Sequence, residues 1–257
     1  MSLLSARNLE LSFGGIRAVQ DVSFDVEPGE VFSIIGPNGA GKTTIFNLIS
    51  RFYDMDSGQL NLDGTDLGRL NAHDVARAGI ARTFQNTELF EHETVLQNLL
   101  IGCHVNRRTG LLSELLHLPG TAKQELVFRQ IVEKVIDLVD LQAYRYQAIG
   151  SLPYGVRKMV EIARALCVRP KLLLLDEPAS GLNPEETEDL SFWIEDINQD
   201  HGITVLMVEH DMNLVSRISN RVLAMSEGKV ITIGEPADVQ NHPEVLEAYL
   251  GVAEDAA

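Results

Sequence analysis

The stretch Gly36 to Thr44, GPNGAGKTT, lies between the apolar runs Val31 to Ile35 and Ile45 to Ile49. That order reads as strand, phosphate loop, helix, and it makes a nucleoside triphosphate the expected ligand. Gly36, Gly39 and Gly41 let backbone amides converge on phosphate oxygens, because no Cβ blocks close approach or unusual dihedrals. Lys42 adds a point charge toward the β and γ phosphates, and the Thr43 hydroxyl opens the helix where Mg²⁺ would be ligated. Pro37, Asn38, Ala40 and Thr44 complete the loop.

The bulk of the chain is ordinary globular material: 257 residues, 45% hydrophobic and 23% charged. Asp and Glu total 37 against 21 Lys and Arg, a formal charge of −16. That balance argues against a nucleic acid partner, whose phosphates would be repelled, and requires that any basic groups serving ATP be local. Cys103 and Cys167 lack C-x-x-C spacing, so buried thiols are expected rather than a zinc site or a disulfide. The start MSLLSARNLE has no charged segment followed by a long apolar one, and no apolar run approaches the roughly 18 residues of a membrane span. The chain is expected to be neither secreted nor integral to a membrane.

Along the chain, residues 2 to 30 alternate apolar and polar, as in Leu9, Leu11, Phe13 and Val22, Phe24, Val26. With turn signals at Gly14-Gly15 and Pro28-Gly29, this predicts an antiparallel sheet leading into the phosphate-loop strand. Gln59 to Asp63 and Ile80 to Phe84 read as strands. Asn71 to Ala78 reads as a short helix, with Asn71 as N-cap, Asp74 at N3 and Gly79 as stop. Residues 94 to 145 carry helical spacing, clearest in Leu126, Ile131, Val135, Leu138 and Val139, with breaks at RRTG and Pro119-Gly120. Lys171 to Leu175 and Ile203 to Val208 are continuous apolar runs, as in parallel strands buried on both faces. A hairpin from Val222 to Ile233 turns at Glu227-Gly228. The expected fold is therefore an α/β core of the P-loop NTPase type, with an N-terminal antiparallel β subdomain and an inserted helical subdomain.

The run Leu172 to Leu175 ends in Asp176-Glu177, two carboxylates where a buried strand emerges beside the phosphate loop. Asp176 is placed to help hold Mg²⁺ through its water shell, and Glu177 to orient and polarise the attacking water. Residues 151 to 166, SLPYGVRKMVEIARAL, form a short glycine-bearing turn opening an amphipathic helix.

The order of GPNGAGKTT, Gln85, LPYGV, LLLLDE, SGLN and His210 resembles the ATP-binding subunits of ABC transporters over nearly the whole chain. The resemblance implies one nucleotide-binding domain over residues 1–257 with a RecA-like core, a helical subdomain at about 90–165 and a C-terminal extension at about 235–257. It implies that Phe13 stacks on adenine, that Gln85 reaches the Mg²⁺ and water site, and that His210 contacts the γ-phosphate. Ser180 to Asn183 would cross a dimer interface, and Asn183, Pro184 and Glu186 also make a good helix start. Leu152, Pro153, Tyr154 and Gly155 occupy the signature position that caps ATP held by an opposing subunit. They depart from the common Leu-Ser-Gly-Gly-Gln, because Pro153 has neither hydroxyl nor amide donor.

Arg82 to Asn86, Leu89-Phe90, RRTG, Leu182 to Glu186, Val208 to Met212 and the tail Asn241 to Gly251 are similar to the ATPases of bacterial branched-chain amino acid importers. That implies ATP and Mg²⁺ as cofactors, two permeases and a sister ATPase as partners, and indirectly an external solute-binding protein. The ATPase pair would be hetero- or homodimeric, peripheral on the cytoplasmic face of the inner membrane. Residues 86 to 96 are expected to dock a permease helix through Leu89-Phe90 and Val95-Leu96. Importers of urea and short amides, lipid or lipopolysaccharide exporters, and soluble ABC ATPases are the alternatives.

Overall fold

The computed structural model describes residues 2–83, 89–106 and 119–254. Gln85 and the RRTG break at 107–110 lie outside the described residues, as does the end of the strand expected over Ile80 to Phe84. The chain divides into two compact units, residues 1–85 with 171–257 and residues 86–170.

In the first unit, β1 (Leu4–Phe13) and β2 (Ile16–Val26) form an antiparallel hairpin. The two-residue turn takes Gly14 and Gly15 at φ 52° and 93°, the left-handed backbone such a turn requires. Alternation along β1 slips by one residue: Leu4 and Ala6 are buried, then Leu9 and Leu11. The slip is a bulge at Asn8, which sits at φ 47° while its side-chain amide donates to Asp21 at 2.6 Å. β4 (Ser57–Leu62) pairs with the other edge of β1, and β5 (Thr65–Asp66) closes a sheet of order β2-β1-β4-β5.

The second sheet contains β3 (Val31–Ile35), β6 (Ile80–Arg82), β7 (Leu172–Asp176), β8 (Thr204–Val208), β9 (Arg221–Ser226) and β10 (Lys229–Gly234). Their order is β10-β9-β3-β8-β7-β6, parallel except for β10. Every residue of β3, β7 and β8 is buried, which is why these segments read as unbroken apolar runs. The core joins the two sheets, with Phe24 of β2 stacked on Phe32 of β3 at 5.7 Å. Helix α1 (Lys42–Ile49) follows the phosphate loop.

Helix α2 (Ala72–Ala78) ends at Gly79 in a left-handed C-cap as expected, but the Asn71 side chain makes no capping bond; the backbone alone starts the helix. The expected hairpin is β9 and β10, with its turn at Glu227-Gly228.

In the second unit, α3 (Val95–Gly102) opens with a capping box between Thr94 and Gln97. Buried Asn98 braces the preceding loop by bonds to the Phe90 amide and carbonyl. Gly102 is obligatory: a Cβ there would stand 2.4 Å from the Arg164 carbonyl. Helix α4 (Pro119–Leu138) includes Pro119-Gly120, so the expected turn is instead the first helical turn, where proline loses no hydrogen bond. Leu126 is 63% exposed, and the buried stripe runs through Val132, Val135, Ile136 and Val139. Val95 folds inward while Phe90 stays 55% exposed. Cys103 and Cys167 are buried, free thiols.

Candidate functional site

The sheet register sets the site. Val208 of β8 is level with Ile34 of β3 on one side and with Asp176 of β7 on the other. The C-terminal ends of three adjacent parallel strands therefore release the phosphate loop, the Glu209-His210 turn and the Asp176-Glu177 turn along one edge of the sheet. Ligands of parallel α/β sheets bind at that edge because loops and helix N-termini converge there.

The loop glycines are required for two separate reasons. Gly39, at φ 82°, has open space around it, so only its backbone conformation demands glycine. At Gly36 and Gly41 a Cβ would stand 2.2 Å from the Met225 carbonyl and 2.5 Å from the Ala18 carbonyl. The loop is thus pressed between β9 and β2, and the Ala40 carbonyl accepts from the Gly228 amide at 3.1 Å.

Lys42 is buried, and its ammonium donates to the carbonyls of Gly36 at 2.6 Å and Pro37 at 3.0 Å. Burial pushes its pKa down, and the charges of Glu177 and then Asp176 oppose that. The ammonium thus sits within the phosphate loop itself, with the two carboxylates beside it. Beside it lies a cavity of about 450 Å³ whose lining includes Ile16, Arg17, Lys42, Thr43, Glu177 and Glu227, within the size range of small-molecule sites. Arg17 supplies a second local basic group that the motif spacing did not reveal.

Asp176 is buried and paired with Arg82 at 2.8 Å, both side chains being almost wholly covered. The same guanidinium donates to Asn47 at 2.8 Å and Ser50 at 3.2 Å, and lies over Phe46 at 5.5 Å and Phe52 at 5.7 Å. Arg82 thereby fastens α1 to the end of β7 and fixes one Asp176 oxygen. Glu177 has φ 48°, a left-handed turn held by its amide bond to the Val208 carbonyl at 2.9 Å. Among the described residues no three His, Cys, Asp or Glu side chains gather as a metal cage. One hydroxyl from Thr43 and one carboxylate from Asp176 fit Mg²⁺ held largely by water and phosphate oxygens.

His210 is 61% exposed, with Nδ1 3.8 Å from the Glu209 carboxylate. Phe13 is 43% exposed and packs edge-on against Tyr53 at 5.0 Å, while Ile16, across the same turn, lines the cavity. The loop Ser180 to Asn183 leads into α6 (Pro184–Gln199), whose capping box joins Asn183 and Glu186 as expected. The signature residues belong to the second unit. There Leu152 is buried, Pro153 is the N-cap of α5 (Tyr154–Leu166), and Tyr154 is 40% exposed with the Arg157 guanidinium 6.0 Å from its ring.

Comparison with known proteins agrees with this geometry. The ABC transporter family profile matches residues 19–180, and that of the branched-chain amino acid ATP-binding cassette transporter matches residues 229–255. The chain is 40% identical over 251 residues to the high-affinity branched-chain amino acid transport ATP-binding protein BraF of Pseudomonas aeruginosa, covering 98% of each. It is 39% identical to LivG of Escherichia coli, a protein of the same description, again covering 98% of each. A solved ATP-binding cassette of an ABC transporter in its ADP conformation superposes with a TM-score of 0.86 at 32% identity, covering 98% of this chain and 99% of that one. A nucleotide-free cassette gives 0.84 at 32% identity, covering 97% and 99%. With its phosphate loop, carboxylate pair and strand order in place, the chain belongs to the ABC transporter family as an ATP-hydrolysing, ATP-binding cassette.

Proposed function

We infer that this chain is the ATPase of an importer for branched-chain amino acids, a single nucleotide-binding domain working with two permeases and a sister ATPase at the cytoplasmic face of the membrane. The relatives BraF and LivG support the cargo, and the match at residues 229–255 extends that likeness into the tail. The observation that carries the chemistry is the convergence of buried Lys42 and Asp176 with half-buried Glu177 at the ends of adjacent strands.

Mg²⁺ would be held by Thr43 and Asp176 and, when bound, would neutralise charge on the phosphates. Lys42 leaves the Gly36 and Pro37 carbonyls for the β and γ phosphates, while the amides at the start of α1 take the remaining oxygens. Glu177 orients the attacking water and takes up its proton as the water oxygen bonds to the γ phosphorus, while the bond from that phosphorus to the β–γ bridging oxygen breaks and ADP leaves. His210 contacts the γ-phosphate from the neighbouring turn, Phe13 takes the adenine, and Gln85 links this site to the permeases. Leu152 to Gly155 face the ATP of the sister subunit, with amides at the start of α5 as donors in place of a serine hydroxyl.

Glu177→Gln keeps size and hydrogen bonding but removes basicity. Turnover is expected to fall about 10²- to 10⁴-fold while ATP binding persists. Equal loss of binding and turnover, measured by nucleotide titration beside phosphate release, would count against the role.

A further inference from the structure

Glu209 follows β8 directly and is fully buried, although it is an acid at the mouth of a polar site. Its two oxygens are taken up by backbone amides from two separate segments. Oε1 accepts from Ala179 at 2.7 Å, and Oε2 accepts from His210 at 2.9 Å and Asp211 at 3.2 Å. Ala179 lies two residues past Glu177, and His210 is the adjacent residue. The carboxylate therefore spans the turn that carries the water-orienting acid and the turn that carries the imidazole. Asp211 continues the brace by capping α7 (Met212–Ile218) through the amides of Asn213 and Leu214.

The chemistry of this bridge is particular. All three partners are N–H donors, so only a group that accepts at both oxygens satisfies them. A glutamine of the same shape would set its NH₂ against an N–H at one end, and a buried donor left unsatisfied is strongly disfavoured. A hydrophobic residue would leave three donors without their acceptor.

We propose that Glu209 is a positioning residue for ATP hydrolysis, locking the Glu177 turn to the His210 turn so that both side chains address one phosphate in a fixed relation. This rests on the roles of Glu177 and His210 given above. The competing role is plain structural support at the end of a buried strand, and a double-mutant cycle separates the two. Steady-state hydrolysis of Mg·ATP and thermal melting are measured for the full-length protein as wild type, Glu209→Gln, His210→Ala and the double variant.

Glu209→Gln is expected to lower kcat about ten- to a hundredfold, the scale of misplacing a reacting group by an ångström, with KM for ATP moving by less than about threefold. In the His210→Ala background the same change is expected to cost little more, because its effect passes through His210. Losses that multiply fully, or KM and kcat failing together with the melting temperature, would overturn the proposal. Should Glu209→Gln not fold, Glu209→Asp carries the same cycle. Aspartate, one methylene shorter, keeps acceptors near its own turn but does not span to Ala179, so a wild-type kcat there would equally refute the bridge. A His210→Ala protein with full kcat, beside an inactive Glu177→Gln, would remove the His210 role and this proposal with it, leaving the Glu177 reading intact.

Discussion

Around Lys42, burial lowers the pKa of the ammonium, while the charges of Glu177 and then Asp176 act to raise it. Lys42→Ala is expected to weaken ATP binding itself, because it deletes a charge-assisted contact to phosphate; a nucleotide titration with unchanged affinity would remove that assignment. Arg82 acts on the opposite charge. Removing it by Arg82→Met takes the guanidinium partner away from buried Asp176, a change of about 3–5 kcal/mol for a buried pair, to be read as a lowered denaturation midpoint. Arg82→Lys is expected to recover only part of this, since an ammonium cannot reach Asp176, Asn47 and Ser50 together in one planar fork. Lys42, Asp176 and Glu177 could be picked out in the sequence as candidates because each lies at or after the end of an apolar strand at motif spacing, and the structure brings them to neighbouring strand ends. Arg82 was not legible as a site residue, because it meets Asp176 across 94 residues of chain and only strand pairing brings them together. Glu209 escaped for a similar reason: its contact with Ala179 spans 30 residues between two strand ends.

Element boundaries followed local chemistry wherever a cap or a turn residue was decisive. Asn183 with Glu186, Gly79, and the Gly14-Gly15 turn all behave as their sequences imply. Tertiary context decided the rest. The bulge at Asn8 shifts the buried face of β1 by one residue, and no alternation pattern marks it because Asn8 is stabilised by Asp21 on the next strand. Leu126 matched a helical period yet faces outward, since the α4 stripe is set by its neighbours within the second unit. The phosphate loop is likewise an element shaped by others. Gly41→Ala puts a methyl 2.5 Å from the Ala18 carbonyl and a side chain at φ 100°, two independent strains. Its ATP affinity is expected to drop at least about tenfold, as a shift of roughly 1.4 kcal/mol would give, whereas Gly39→Ala meets no neighbour and carries only the backbone strain. Equal binding losses in the two variants would show that backbone conformation alone, and not pressure from β2, makes Gly41 necessary.

For the whole molecule, the sheet order and the ordered motifs fix what the chain does with ATP, while the solute belongs to other chains of the proposed complex. Among the described residues no helix is long and apolar enough to cross a membrane, and the charge of −16 suits an aqueous surface. In the proposed complex hydrolysis acts on transport through contact with permeases, for which exposed Phe90 in the second unit is a candidate and buried Val95 is not. The cargo was legible only as family resemblance, because no residue of this site addresses an amino acid. In a complex reconstituted into membranes with its permeases and sister ATPase, binding protein loaded with leucine, isoleucine or valine is expected to raise ATP hydrolysis over the unloaded protein. Gln85→Ala is expected to abolish that rise while leaving basal nucleotide binding in place, since the proposed link runs through that residue. Stimulation by urea or a short amide with leucine inert would transfer the protein to a different cargo. An intact complex whose hydrolysis ignores all of these solutes would remove the import assignment, and the roles proposed for Lys42, Asp176 and Glu177 in ATP hydrolysis would be judged independently of it.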